Sequence, residues 1–194
     1  MAKKKLLSTD EQIAKLTHLT AIAEAAASEP ELIKRLGAVM IYAGEVDFIA
    51  IQAARLVEQI MLKAALTEEK EPPFQPHDDT YFYDNQVSTR LILKGIEKLL
   101  PFRSVHPEED DAAGRVNQLT SRFLQAAHDF LNYRNAIIHH LASPKKTLDD
   151  IDALCDKAIA TFHRVWDSQR DFFEAAGPYR FGPRELEYFY GDRE

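Results

Sequence analysis

Only one cysteine, Cys155, occurs in the 194 residues. A lone thiol excludes an intramolecular disulfide framework and any zinc site built on several cysteines, and it suits a reducing compartment. Glycine is scarce, at seven residues. No low-complexity run and no repeat of solenoid period is visible, so stacked-repeat architectures are excluded too. No apolar run reads as long enough to cross a bilayer. The opening stretch Met1 to Leu7 holds three lysines, but Asp10, Glu11 and Gln12 follow where a secretion signal would place its apolar core. These absences predict a soluble, cytoplasmic protein with no membrane partner. Positive charge is also short: 31 acidic against 24 basic residues leave a formal net charge of −7. That balance argues against broad, sequence-independent nucleic-acid binding, which rests on neutralising many phosphates. It leaves room for a small local site with two or four arginines.

What the chain does have is helical periodicity almost throughout. Ser8 and Thr9 open a first helix, in which Ile13, Leu16, Leu19, Ile22 and Ala23 recur at steps of three and four. Pro30 suits the first turn of a second helix running to Leu66, with Gly37 and Gly44 as possible interruptions. Val46, Ile49, Ala53, Leu56, Val57 and Ile60 line one face of it, and Glu45 flanks that face. A proline- and aromatic-rich loop over 67–85 should pack back on the bundle or meet a partner, and a helix over 88–100 and an acidic connection over 101–111 follow. A long helix over 112–142 comes next. Thr147 with an acidic first turn then caps a last helix carrying Ile151, Leu154, Ala158, Phe162, Val165 and Phe172. With no convincing alternating strand, the expected fold is an all-α, up-and-down helical bundle formed by residues 1–176. Residues 177–194 carry Tyr179, Phe181, Tyr188, Phe189 and Tyr190, rings that call for cover by the bundle or a second subunit.

The segment Tyr133-Arg134-Asn135-Ala136-Ile137-Ile138-His139-His140-Leu141 stands out. At about 100° per residue, Leu119, Phe123, Phe130, Ile137 and Leu141 form one apolar stripe, and Arg134 falls inside it. A permanently charged guanidinium there calls for a carboxylate, a ligand phosphate or a dimer crevice, or else for a helix broken nearby, and Glu45 is the candidate protein partner. The opposite side carries Ser121, Gln125, His128, Asn132, Asn135 and His139. Asn135 and His139 are i and i+4 and can touch. Arg134 points about 140° from His139 and about 120° from His140 on a regular helix. Acting on one substrate would therefore need a distorted helix or a meeting across a two-fold interface. Arg122 and His128 offer a second pair of similar spacing. Other clusters are weaker: His77-Asp78-Asp79 and His128-Asp129 lack the further ligands a metal centre needs. His163 and Trp166 read as structural, and Lys145 and Lys146 as loop lysines open to phosphate contact.

Arg134, Asn135 and His139, with His140 as the longer spacing, resemble the R-x4-6-H signature of the HEPN superfamily, small helical-bundle domains that include metal-independent ribonucleases acting as toxins or abortive-infection effectors. The resemblance covers about nine residues of motif. It implies an RNA substrate, no cofactor and, in toxin–antitoxin pairs, an antitoxin partner; a site made of these groups alone would need two copies to be complete, so a homodimer through the face bearing the motif is expected. Leu141 stands where toxins paired with a nucleotidyltransferase antitoxin commonly carry a modifiable tyrosine, a departure that puts regulation of that kind in doubt. RNA brings its own nucleophile in the 2′-OH, so a base, an acid and a cation suffice for its cleavage. The expected roles are His139 as acid or base, Arg134 as phosphate clamp, Asn135 as orienting group and His140 as alternate histidine. The competing expectation is a non-catalytic scaffold or regulatory module, in which Arg134 is ion-paired to Glu45 and His139 hydrogen-bonds Asn135.

Overall fold

The architecture comes from a computed structural model, which describes residues 8–67, 81–101, 110–141, 143 and 146–179. All regular structure among these residues is helical: α1 (Thr9–Ala27), α2 (Pro30–Thr67), α3 (Tyr81–Asp84), α4 (Thr89–Leu99), α5 (Asp110–Leu141) and α6 (Leu148–Ala176), closed by a short 3-10 turn (Gly177–Tyr179). Pro30 is the first residue of α2. Its fixed φ suits that position and its missing N–H costs nothing there. Gly37 and Gly44 leave α2 unbroken over 38 residues.

α5 and α6 form an antiparallel hairpin, the most extensive pairing in the molecule. Phe123 stacks on Phe172 with ring centroids 6.1 Å apart, and Phe130 meets Phe162 at 6.2 Å. α2 lies along α6 in the same direction, with Tyr42 stacked on Phe162 at 3.9 Å and Arg35 donating to Asp152 at 2.8 Å. The long helices α2, α5 and α6 therefore alternate in direction, while short α4 bridges α2 and α5. The predicted core faces are where the periodicity puts them. Val46, Ile49, Ala53, Leu56, Val57 and Ile60 of α2 and Ile151, Ala158, Phe162, Val165 and Phe172 of α6 are all buried.

α6 starts as its sequence dictates. The Thr147 hydroxyl accepts the Asp150 N–H at 3.2 Å and the Thr147 N–H donates to the Asp150 carboxylate at 3.0 Å, the reciprocal pair that satisfies two otherwise free donors. α1 departs from expectation. Ile22 and Ala26 reach the core, but Ile13, Leu16 and Leu19 are exposed. α2 also departs: by length and composition it contains a window apolar enough to cross a membrane, with 39% of that window buried within the fold. Core helices pass the same test, because a helix covered on one face by partners is itself apolar. The 68–80 part of the aromatic loop, most of the acidic connection and tail residues 180–194 lie outside the described residues.

Candidate functional site

The C-terminal turns of α5 carry the arginine–histidine motif, and the helix continues unbroken through it to Leu141. Leu119, Phe123, Phe130 and Ile137 are buried as the apolar stripe requires. Arg134 escapes that stripe by bending toward the next residue: half-buried, its Nη1 donates to Asn135 Oδ1 at 3.0 Å. Arg134 forms no ion pair with any carboxylate among the described residues, and Glu45 stands exposed on α2 without one. A guanidinium has five N–H donors, so one amide acceptor leaves most of its capacity unspent. The local geometry also narrows the angular gap read from the sequence. Asn135 lies about 40° from His139 around the helix, so an arginine held by Asn135 has its charge turned toward the histidine side.

The two histidines differ in setting. His139 is exposed in the last turn of α5. His140 is half-buried, and its Nδ1 is shielded from solvent without a hydrogen-bond partner. His140 faces the start of α6, where it is one of the weaker influences on Asp150. That carboxyl lies below its ordinary range chiefly because the Thr147 backbone N–H donates to it; partial desolvation opposes this, and Lys146, the Thr147 hydroxyl and His140 help. The Asn135 oxygen serves Arg134, and no hydrogen bond joins Asn135 to His139 among the described residues.

α4 supplies two residues that reasoning from the sequence missed. Arg90 Nη2 donates to Asn132 Oδ1 at 2.8 Å, and Glu97 Oε1 lies 2.9 Å from His128 Nε2. α4 thus covers the polar stripe of α5 at His128 and Asn132, and leaves Asn135 and His139 beyond it. Thr89, at the first turn of α4, hydrogen-bonds Asp47 of α2 and fixes that end of the helix. One signal could have found Arg90: it sits in the first turn of a helix with no acidic residue there, against the helix dipole. Arg90, like Arg134, is held by an asparagine oxygen and forms no ion pair with a described carboxylate.

The remaining candidates fall apart in space. Arg122 lines a cleft of about 620 Å³ at the other end of the hairpin with Arg115, Asp171, Glu174 and Tyr179, whereas its spacing partner His128 is engaged by Glu97. Asp129 accepts from Gln125 at 2.9 Å and lies 3.5 Å from Arg164, so the His128-Asp129 pair is dispersed. Among the described residues no group of three or more His, Cys, Asp or Glu could hold a metal ion. His77, Asp78, Asp79 and Lys145 lie outside the described residues, while Lys146 is exposed. His163 and Trp166 are exposed at the margin of α6, each against the Phe162 ring. No protein-family model matches the chain, and comparison with curated proteins and with solved structures finds no match in either.

Proposed function

We propose that the chain is a metal-independent endoribonuclease of HEPN type, a cytoplasmic toxin or defence effector that cleaves RNA through its own 2′-OH. The observation that carries this reading is the state of Arg134, a half-buried guanidinium held by the neutral Asn135 and by no described carboxylate, one turn before an exposed histidine. The scaffold reading needs the Arg134–Glu45 ion pair and the Asn135–His139 hydrogen bond, and the described residues form neither.

In this mechanism a base takes the 2′-OH proton and the freed oxygen attacks phosphorus. The 5′-oxygen then leaves with a proton from an acid, giving a 2′,3′-cyclic phosphate and a 5′-hydroxyl. Arg134 neutralises the charge that grows on the phosphoryl oxygens, through a fork matched to such an anion. His139, reachable from solvent, exchanges the proton; Asn135 aims Arg134. One exposed motif histidine per chain does not serve as base and acid at once. The reading therefore includes a homodimer with two motifs on one substrate, and an antitoxin protein is the partner that would restrain it.

The test is cleavage of a mixed RNA pool in EDTA with the fragment ends determined. Wild type should yield cyclic-phosphate and 5′-hydroxyl ends, Arg134→Ala and His139→Ala should be inactive, and His140→Ala should be milder. Absence of cleavage by wild type would favour the scaffold. A dead His140→Ala beside an active His139→Ala would move the catalytic role to His140.

A further inference from the structure

α2 carries an apolar row that faces away from its own core. Ile33, Met40, Ile41 and Phe48 are 49, 64, 67 and 51% exposed. Gly37 and Gly44 are exposed between them, with nothing within 4 Å of where a Cβ would stand. At about 100° per residue all six lie within about 50° of one line along the helix. Four large apolar side chains in a row, unlike scattered ones, mark a surface that is covered in use.

The row has a symmetry that names its occupant. About a point midway between Met40 and Ile41 it reads the same in both directions: large, small, large, large, small, large. We propose that this face of α2 packs antiparallel against the same face of a second copy of the chain, around a two-fold axis at that midpoint. Such an interface is isologous, so each residue meets its mirror position. Gly37 then faces Gly44 of the other copy, which lets the backbones approach closely. Ile33 lies beside Phe48 and Met40 beside Ile41 at the same levels but on opposite sides of the contact line, so the pairs interleave rather than collide.

Charge agrees with this arrangement. Lys34 and Glu45 are both exposed and flank the same edge of the row, about 70° and 90° from its centre. In the antiparallel pair the Lys34 of one copy stands about 3 Å along the axis from the Glu45 of the other, twice by symmetry. Among the described residues Lys34 pairs with Glu31 of the same helix, at 2.6 Å on an open surface. With its reverse face buried against α4 and α6, α2 does not span a bilayer in this fold, and the complementary Lys34 and Glu45 at its edge favour a second copy over a lipid surface. The pairing depends on α2 alone and holds whether or not the α5 motif cleaves RNA.

Cysteines at the edge positions Lys34 and Glu45 test it, since both are exposed beside the row and the native Cys155 is buried. The predicted geometry puts residue 34 beside residue 45 of the other copy, not beside its own copy. A short bismaleimide should therefore link Lys34→Cys and Glu45→Cys chains when they are co-expressed, and link each variant alone far less. Sedimentation of the full chain at micromolar concentration should find a dimer, and Met40→Asp should weaken it at least about tenfold, because a carboxylate would be buried at the contact. A wild-type monomer overturns the proposal, whether it stays free, binds lipid vesicles or dimerises only after residues 180–194 are removed. Equal linking in the single variants and the mixture, or a dimer indifferent to Met40→Asp, overturns it as well.

Discussion

Arg134 costs the fold little to keep, because its neighbour is an amide rather than an acid. Truncating one member of a buried ion pair strands the other charge and costs about 3–5 kcal/mol. Here the partner is the Asn135 oxygen of a half-buried pair, which solvent can satisfy. Arg134→Ala should therefore lower stability by no more than about 1 kcal/mol, most of it lost packing of the alkyl stem. Thermal or denaturant unfolding of that variant checks the expectation, and a loss in the larger range would reinstate a structural ion pair. Residue types and spacing made Arg134, Asn135 and His139 legible in the sequence. The direction of the arginine side chain was not, because a long side chain can cross about 100° of helix surface to reach its neighbour. Arg90 was harder still, since its contact with Asn132 spans 42 positions of chain that no local pattern connects.

The ends and core faces of α2, α5 and α6 were legible, because proline, capping residues and apolar period act locally, whereas α1 exposes most of its apolar row and short α3 lies inside a segment that reads as a loop. The Thr147–Asp150 box is the clearest case, and it has a pH signature. The Asp150 carboxyl is depressed below its ordinary 3.8. Its stabilising contribution is thus fully present above that value and is lost as pH falls through the depressed one. Melting temperature followed from neutral pH into acid should fall less steeply below 3.8 in Asp150→Asn than in wild type. Thr147→Ala, which removes the hydroxyl acceptor, should cost about 0.5–2 kcal/mol at neutral pH. Sequence pattern says which side of a helix is apolar and not what covers it. The exposed Ile13, Leu16 and Leu19 of α1 show this limit, as does the outward row on α2.

For the whole molecule, a net charge of −7 constrains how RNA can be held under the proposed function. Most of the surface repels a polyanion, so attraction is confined to a few arginines. Two to four phosphate contacts predict a shallow salt dependence, with a slope of log affinity against log salt between about −1.4 and −2.8 for single-stranded RNA. Arg90, tethered to α5 one turn before Asn135, is expected to be one of those contacts. Arg90→Ala should reduce the slope by about 0.7, measured by anisotropy of a labelled RNA across a salt series. An unchanged slope would confine Arg90 to fastening α4.

The order of helices along the chain sets a problem for synthesis. Among the described residues α2 is the one helix apolar enough to cross a membrane, yet α6, which covers much of its inner face, begins about 80 residues later. At translation rates of about 5–20 residues per second, α2 leaves the ribosome on the order of 4–16 s before that cover exists. During the interval it shows apolar surface on both sides, the outward row and the unfilled core face together. A nascent chain in that state is a client for chaperones that bind exposed helices. Neighbouring chains on one message could meet through α2 before either has finished folding.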